Sequence, residues 1–150
     1  MNMKIKSIMI LTLILLTLIG ITAIDAETVS FANSTFTIPE GYVINETYSD
    51  SVVLSNNTTF IVVYSGEVVS IEKARQNRLE LGFRLLDEDN YDADGIEINQ
   101  QNFHKFNITA CIYTFTKNNK NYIITYTIMD NQDIPEKDDN PVTEIFNSLS

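Results

Sequence analysis

Asp87-Glu88-Asp89-Asn90-Tyr91-Asp92-Ala93-Asp94-Gly95 gathers hard oxygen donors in a short space. Calcium takes roughly six to eight such oxygens from a tight loop, with glycine where the backbone turns sharply. Asn90, Asp92 and Asp94, followed by Gly95, match the first half of a calcium loop. The twelfth position is Gln101, which offers one neutral oxygen where a bidentate carboxylate is wanted. The expectation is a solvated acidic loop leaving a helix, turning at Asp94-Gly95 and holding calcium weakly or not at all.

Arg75 and Arg78 stand three residues apart, which places them on one side of a helix. They read either as a contact for an anion or a partner, or as stems lying on packed surface with heads reaching water or an acid. His104 is the single histidine, and no serine or cysteine motif supplies a nucleophile beside it. A surface histidine is expected. Cys111 is the single cysteine and lies within Ala110-Cys111-Ile112-Tyr113, so it reads as a buried small hydrophobe. One histidine and one cysteine cannot make the usual zinc set. No catalytic residue and no cofactor is expected, and the chain does not read as an enzyme.

The N-terminus says where the chain works. Lys4 and Lys6 precede an uncharged run from Ile8 to Ile24, closed by Asp25-Ala26-Glu27. A basic start, an apolar stretch and a small-residue exit make a secretory leader, residues 1–26. The run is also close to the length that spans a bilayer, so a retained signal-anchor is the other reading. Both send residues 27–150 outward as a single domain, secreted or extracellular, anchored through 8–24 in the second case. Cys111 is far from the cleavage region, which excludes a lipid-bearing cysteine at the mature N-terminus.

The whole chain carries a net charge of −10. Removing residues 1–26 takes away two lysines and one aspartate and leaves eight basic and nineteen acidic side chains. Such a surface repels nucleic acid and anionic headgroups, so contact with membrane is expected only through the leader. The partner is expected to be a protein or small ligand at the cell surface. Asn33, Asn45, Asn56, Asn57 and Asn107 begin Asn-x-Ser/Thr sequons, which should be exposed turns if the exporting cell glycosylates.

The elements that must position these residues follow from periodicity. Val52 to Ser55 and Thr58 to Tyr64 flank Asn56-Asn57; Ala110 to Thr116 and Tyr122 to Ile128 flank a segment centred on Asn118-Asn119. Asparagine tolerates the positive φ that tight hairpin turns need. A two-residue turn at Asn118-Asn119 pairs Phe115 with Tyr122, Tyr113 with Ile124 and Cys111 with Tyr126, all on one face. Thr114, Thr116, Thr125 and Thr127 take the other. A shorter hairpin joins Val29 and Phe31 to Phe36 and Ile38 around Asn33-Ser34. One long helix is predicted from Ser70, its cap, to about Glu88, with Ile71, Ala74, Leu81, Gly82, Leu85 and Leu86 on its apolar arc. A short C-terminal helix follows Asn140-Pro141, with Val142, Ile145, Phe146 and Leu149 in register. Asp130 to Asn140 reads as a surface loop. The fold class is α+β: an antiparallel sheet carrying the long helix and the short one. The long helix is expected on the face holding Cys111, Tyr113, Phe115, Ile124 and Tyr126.

Phe36-Thr37-Ile38-Pro39-Glu40-Gly41-Tyr42 resembles the strand and Pro-x-Gly-aromatic opening of PsbP/Mog1-like domains. The layout from Phe31 to Leu149 resembles that fold as well. The resemblance implies a non-enzymatic binding or assembly factor and transfers no site residue. The expected function is therefore an exported, non-catalytic binding or accessory module of the cell envelope. The alternative is a surface-structural or adhesion protein held by an uncleaved anchor.

Overall fold

A computed structural model of the chain describes residues 26–67 and 70–150. The Ile8 to Ile24 run, read above as leader or anchor, lies outside the described residues. Among those described, no helix is long and apolar enough to cross a membrane.

Strands β3 (Val43–Thr47), β4 (Ser51–Ser55), β5 (Thr59–Gly66), β6 (Arg84–Ala93), β7 (Ile96–Lys105), β8 (Ile108–Lys117) and β9 (Lys120–Ile128) form one antiparallel sheet. Their order across it is β3-β4-β5-β9-β8-β7-β6. Strands β1 (Thr28–Phe31) and β2 (Ser34–Thr37) make a separate hairpin, and helices α1 (Ile71–Glu80) and α2 (Pro141–Ser148) complete the fold. This is an α+β architecture.

The β8–β9 register is the predicted one. Asn118 and Asn119 have φ of 53° and 60°, and Phe115 faces Tyr122, Tyr113 faces Ile124 and Cys111 faces Tyr126. These six side chains are buried on one face, here called the tyrosine face, with Ile61, Val63 and Ile98. Hairpin β1–β2 and helix α2 cover it. Phe146 of α2 meets Tyr113 and Phe115 edge-on, at 5.6 and 4.8 Å between centroids. Asn140 caps α2, its Oδ1 accepting from Val142 N at 3.0 Å, and Val142, Ile145, Phe146 and Leu149 are all buried. Burying each large apolar side chain contributes about 1.5–3 kcal/mol, which makes this face the source of most of the stability. The small hairpin turns at Ala32-Asn33 rather than Asn33-Ser34, so Val29 pairs with Phe36 and Phe31 with Ser34.

Two expectations about the long helix are corrected. It begins as predicted, with Ser70 Oγ accepting from Lys73 N at 3.1 Å, but it ends at Glu80. Gly82 takes φ +82°, Gly82 N donates to Leu79 O, and Phe83 N donates to Arg78 O. That pair of bonds around a left-handed glycine is a Schellman stop. Leu85 and Leu86, counted on the helical arc, belong to β6. The acidic run is likewise strand and not loop up to Ala93, with the turn at Asp94-Gly95. The helix also lies on the wrong side for the prediction. It packs opposite the tyrosine face, which α2 and the β1–β2 hairpin already fill, and it lies by Val62, Ile112 and Ile123.

Candidate binding site between helix α1 and the sheet

The face under α1 is built differently from the tyrosine face. Its apolar part is small: Phe103, Ala110 and Ile112, with Phe83, Leu85 and Ile123 against them. Ala74 is the buried residue of α1. Polar side chains fill the rest, because β6 and β7 place them directly opposite one another. Glu88 faces Gln101 and Asn90 faces Asn99.

Glu88 is the centre of this cluster. Its Oε1 accepts from Asn99 Nδ2 at 2.9 Å and from Gln101 Nε2 at 3.2 Å. Its other oxygen takes the ion pair from Arg75, which also reaches Glu72 Oε2 at 3.1 Å. The Asn99 hydrogen bond, with Gln101 and Arg75 adding to it against the cost of burial, holds the Glu88 carboxyl below its ordinary range. Asn99 Nδ2 is shared with Asn90 Oδ1 at 3.0 Å. Asn99 and Gln101 are 5% and 1% exposed, and their carbonyl oxygens, together with Arg75 Nε, have no hydrogen-bond partner among the described residues. Buried polar atoms left unpaired are uncommon and costly. A cavity of about 480 Å³ adjoins the cluster at Asn90 and Asn99, roofed by Ser70 and Ile71 of α1 and walled by Tyr64, Thr114 and Ile123. Glu67 and Glu97 line it, and no lysine or arginine does among the described residues.

The structure distributes the sequence-derived candidates as follows. Asn90 and Asp92 share one side of β6, and Asp94 follows in the turn at φ 54°. Asn90 is engaged with Asn99, and Asp92 Oδ1 accepts from Gly95 N at 2.9 Å, closing the turn. No group of three or more His, Cys, Asp or Glu is arranged to hold a metal ion among the described residues. Arg75 enters the polar cluster, whereas Arg78 lies over the Phe83 ring at 5.8 Å. His104 is half-buried, with Nδ1 3.4 Å from Thr109 Oγ1. Cys111 is buried, and loss of solvent pushes its thiol up to about 12. Tyr113 and Tyr126 are raised by the same cause, and the Tyr113 hydroxyl accepts from Asn140 Nδ2 at 3.0 Å. All five sequon asparagines are exposed, but Asn45 lies on strand β3 and not in a turn.

Sequence reasoning did not find Glu88, Asn99 and Gln101 as a group. The available signal was a polar residue at every second position, in Glu88-x-Asn90 and Asn99-x-Gln101, on strands that no apolar alternation marks.

No family model matches the sequence, and no curated protein does. Thirteen solved chains match in structure. One is the solution structure of cyanobacterial PsbP (CyanoP) from Synechocystis sp. PCC 6803, at TM-score 0.54 and 12% identity, over 87% of this chain and 95% of that one. The fold is PsbP-like. The Phe36 to Tyr42 opening therefore pointed to the right architecture. At 12% identity the PsbP-like fold carries no site residue across. The polar cluster under α1 rests on this chain's own side chains.

Proposed function

We propose that the chain is an exported, non-catalytic binding or accessory module that holds a small ligand in the cavity between α1 and the sheet. The observation that carries this is Asn99: almost wholly buried, unpaired at its carbonyl oxygen, and on the wall of a cavity of about 480 Å³. The unpaired carbonyl oxygen of Asn99 and the carboxylates of Glu67 and Glu97 favour a ligand rich in hydrogen-bond donors and disfavour an anion. The PsbP-like fold supports an accessory role, and the basic-then-apolar leader supports export.

The test is a thermal-shift screen of small amines and polyols on the full chain. A ligand at one hundred times its Kd stabilises by about 2.7 kcal/mol, a shift of several degrees for a domain of this size. Ile123→Trp, which fills the cavity, should remove the shift while leaving the fold intact. Equal shifts in both proteins would sink the cavity reading.

The exposure of all five sequons favours a second reading, a surface-structural or adhesion protein held by residues 8–24. N-terminal sequencing and glycosidase treatment of the natural product decide it: an intact N-terminus with occupied sequons supports this reading, and a free start near Glu27 rejects it.

A further inference from the structure

Near their shared turn, β6 and β7 carry two carboxylates where a strand pair least favours them. Asp92 faces Glu97 directly across the pair. Like charges at opposed positions destabilise a sheet. Both lie on the α1 side, since side chains alternate and Glu88, Asn90, Asn99 and Gln101 of the polar cluster fall in the same rows. Glu67, just past β5, lines the same cavity as Glu97.

No cation among the described residues answers them. The ion pairs there are those of Arg75 with Glu72 and Glu88. Lys117 and Lys120, at the same end of the sheet, turn to the tyrosine face instead. Lys117 Nζ donates to Phe146 O at 2.8 Å, and Lys120 Nζ donates to Ser34 Oγ at 2.9 Å. Lys73 is exposed on α1 and does not line the cavity. The N-terminus of α1 does reach it, through Ser70 and Ile71. A helix end is worth about half a positive charge, which the carboxylates of Glu67 and Glu97 outweigh.

The acids alone would be an exposed cluster; Asn99 makes them part of a site. It is buried, and its Nδ2 is held on the β6 side by Glu88 and Asn90. Its Oδ1 is therefore turned away from β6, toward the side of Thr114, its partner on β8, and is unpaired among the described residues. Asn99 and Thr114 both line the cavity. A buried acceptor without a donor, beside carboxylates without a counter-ion, suits a positively charged donor. The remaining wall sets the kind of cation. Tyr64, Ile71, Ile96 and Ile123 are apolar or aromatic, and no group of three or more His, Cys, Asp or Glu is arranged to hold a metal ion among the described residues. A cavity of about 480 Å³ so lined fits an organic body and not a bare ion.

Resting on the cavity reading, we propose that the ligand is a small primary amine bound as its ammonium. Its N–H groups donate to Asn99 Oδ1 and to the Glu97 carboxylate, and the exposed Glu67 adds negative charge. Its hydrocarbon part lies against Ile71 and Ile123, beside Tyr64, whose aromatic ring attracts cations.

Benzylamine, benzyl alcohol and benzoate share one shape and differ in charge at neutral pH. Each is titrated calorimetrically into the full chain, into Ile123→Trp and into Glu97→Gln. Glu97 is exposed, so its amide variant should keep the fold, which a thermal melt checks. The expected result is benzylamine bound about tenfold more tightly than benzyl alcohol, with no binding of benzoate. That advantage should vanish in Glu97→Gln and shrink in salt, and Ile123→Trp should abolish binding. Benzylamine and benzyl alcohol bound equally, and both lost in Ile123→Trp, would overturn the ammonium and leave the cavity reading standing. A preference for the amine that survives Glu97→Gln would overturn the ammonium contact too. Benzylamine binding unchanged by Ile123→Trp would place the site elsewhere and sink both readings. If no probe binds at millimolar concentration, the amine proposal fails, and the polyols of the thermal-shift screen decide the cavity reading separately. Micromolar calcium that displaces benzylamine would give the carboxylates to a metal and overturn the proposal as well.

Discussion

Arg75 on α1 and Glu88 on β6 form the ion pair that fastens the helix to the edge half of the sheet. The contact matters because α1 buries only Ala74 among its residues, so little apolar area holds it down. Arg75 is part-buried, and Glu88 belongs to an exposed stretch of β6 although contacts cover most of its side chain. Removing one partner leaves the other's charge and its neighbouring amides without their hydrogen-bond partner. The same Glu88 orients Asn99 and Gln101, so helix position and cavity wall depend on one carboxylate.

Glu88→Gln should therefore destabilise the chain by about 1–2 kcal/mol, with a characteristic dependence on pH. The folded Glu88 carboxyl titrates below its unfolded value of about 4.3. Its contribution is fully present above that value and is lost as pH falls through the folded one. Urea unfolding of both proteins should show a constant gap near pH 7 that closes in acid. A gap that stays constant down to the acid limb would remove Glu88 from this role.

Gly82→Ala should cost about 1 kcal/mol. The position takes φ +82°, and an added Cβ would meet only Lys105, at 3.5 Å. The penalty is thus conformational and not steric. The variant should lose thermal stability, and amide exchange should rise first in the last turn of α1, where the Schellman bonds sit. An unchanged melting temperature would mean the helix stops for another reason.

These two positions also mark what the sequence could and could not disclose. Asn118-Asn119, read as a two-residue turn, gave the β8–β9 register, because asparagine tolerates the left-handed backbone such a turn needs and every alternate side chain then falls on one face. Gly82 was equally legible as a stop, yet Leu85 and Leu86 continue the helical arc and mask it. Strands β6 and β7 were hidden for a physical reason. One side of them meets the polar cluster and the other is partly solvated, so Glu88, Asn90, Asn99 and Gln101 erase the apolar alternation that reveals a strand. The side of the sheet that α1 would choose was not encoded in its own pattern at all; it depended on α2 and the first hairpin having taken the tyrosine face.

Cys111 should resist modification. Burial raises its thiol to about 12, so the thiolate that reacts is scarce at neutral pH and lies out of reach. An aromatic disulfide reagent at pH 8 should label it at the rate at which the domain opens, and at once in denaturant. Fast, stoichiometric labelling of the native chain would contradict a buried position between Asn102 and Tyr126.

Calcium is the last test, and the structure sharpens it. The candidates Asn90, Asp92 and Asp94 do not converge as a loop. Asn90 is bound to Asn99, Asp92 spends one oxygen on Gly95 N, and Gln101, the twelfth position, is buried against Glu88 on the neighbouring strand. Binding calcium would require breaking the Asn90–Asn99 contact and reopening the Asp94-Gly95 turn. Any affinity should then be about millimolar or weaker, the range of poorly ordered extracellular sites. Calorimetric titration of the full chain should show no saturable heat at micromolar calcium. Micromolar binding that Asp92→Ala or Asp94→Ala abolishes would show that this edge rearranges around the ion, and would make the acidic strand a site after all.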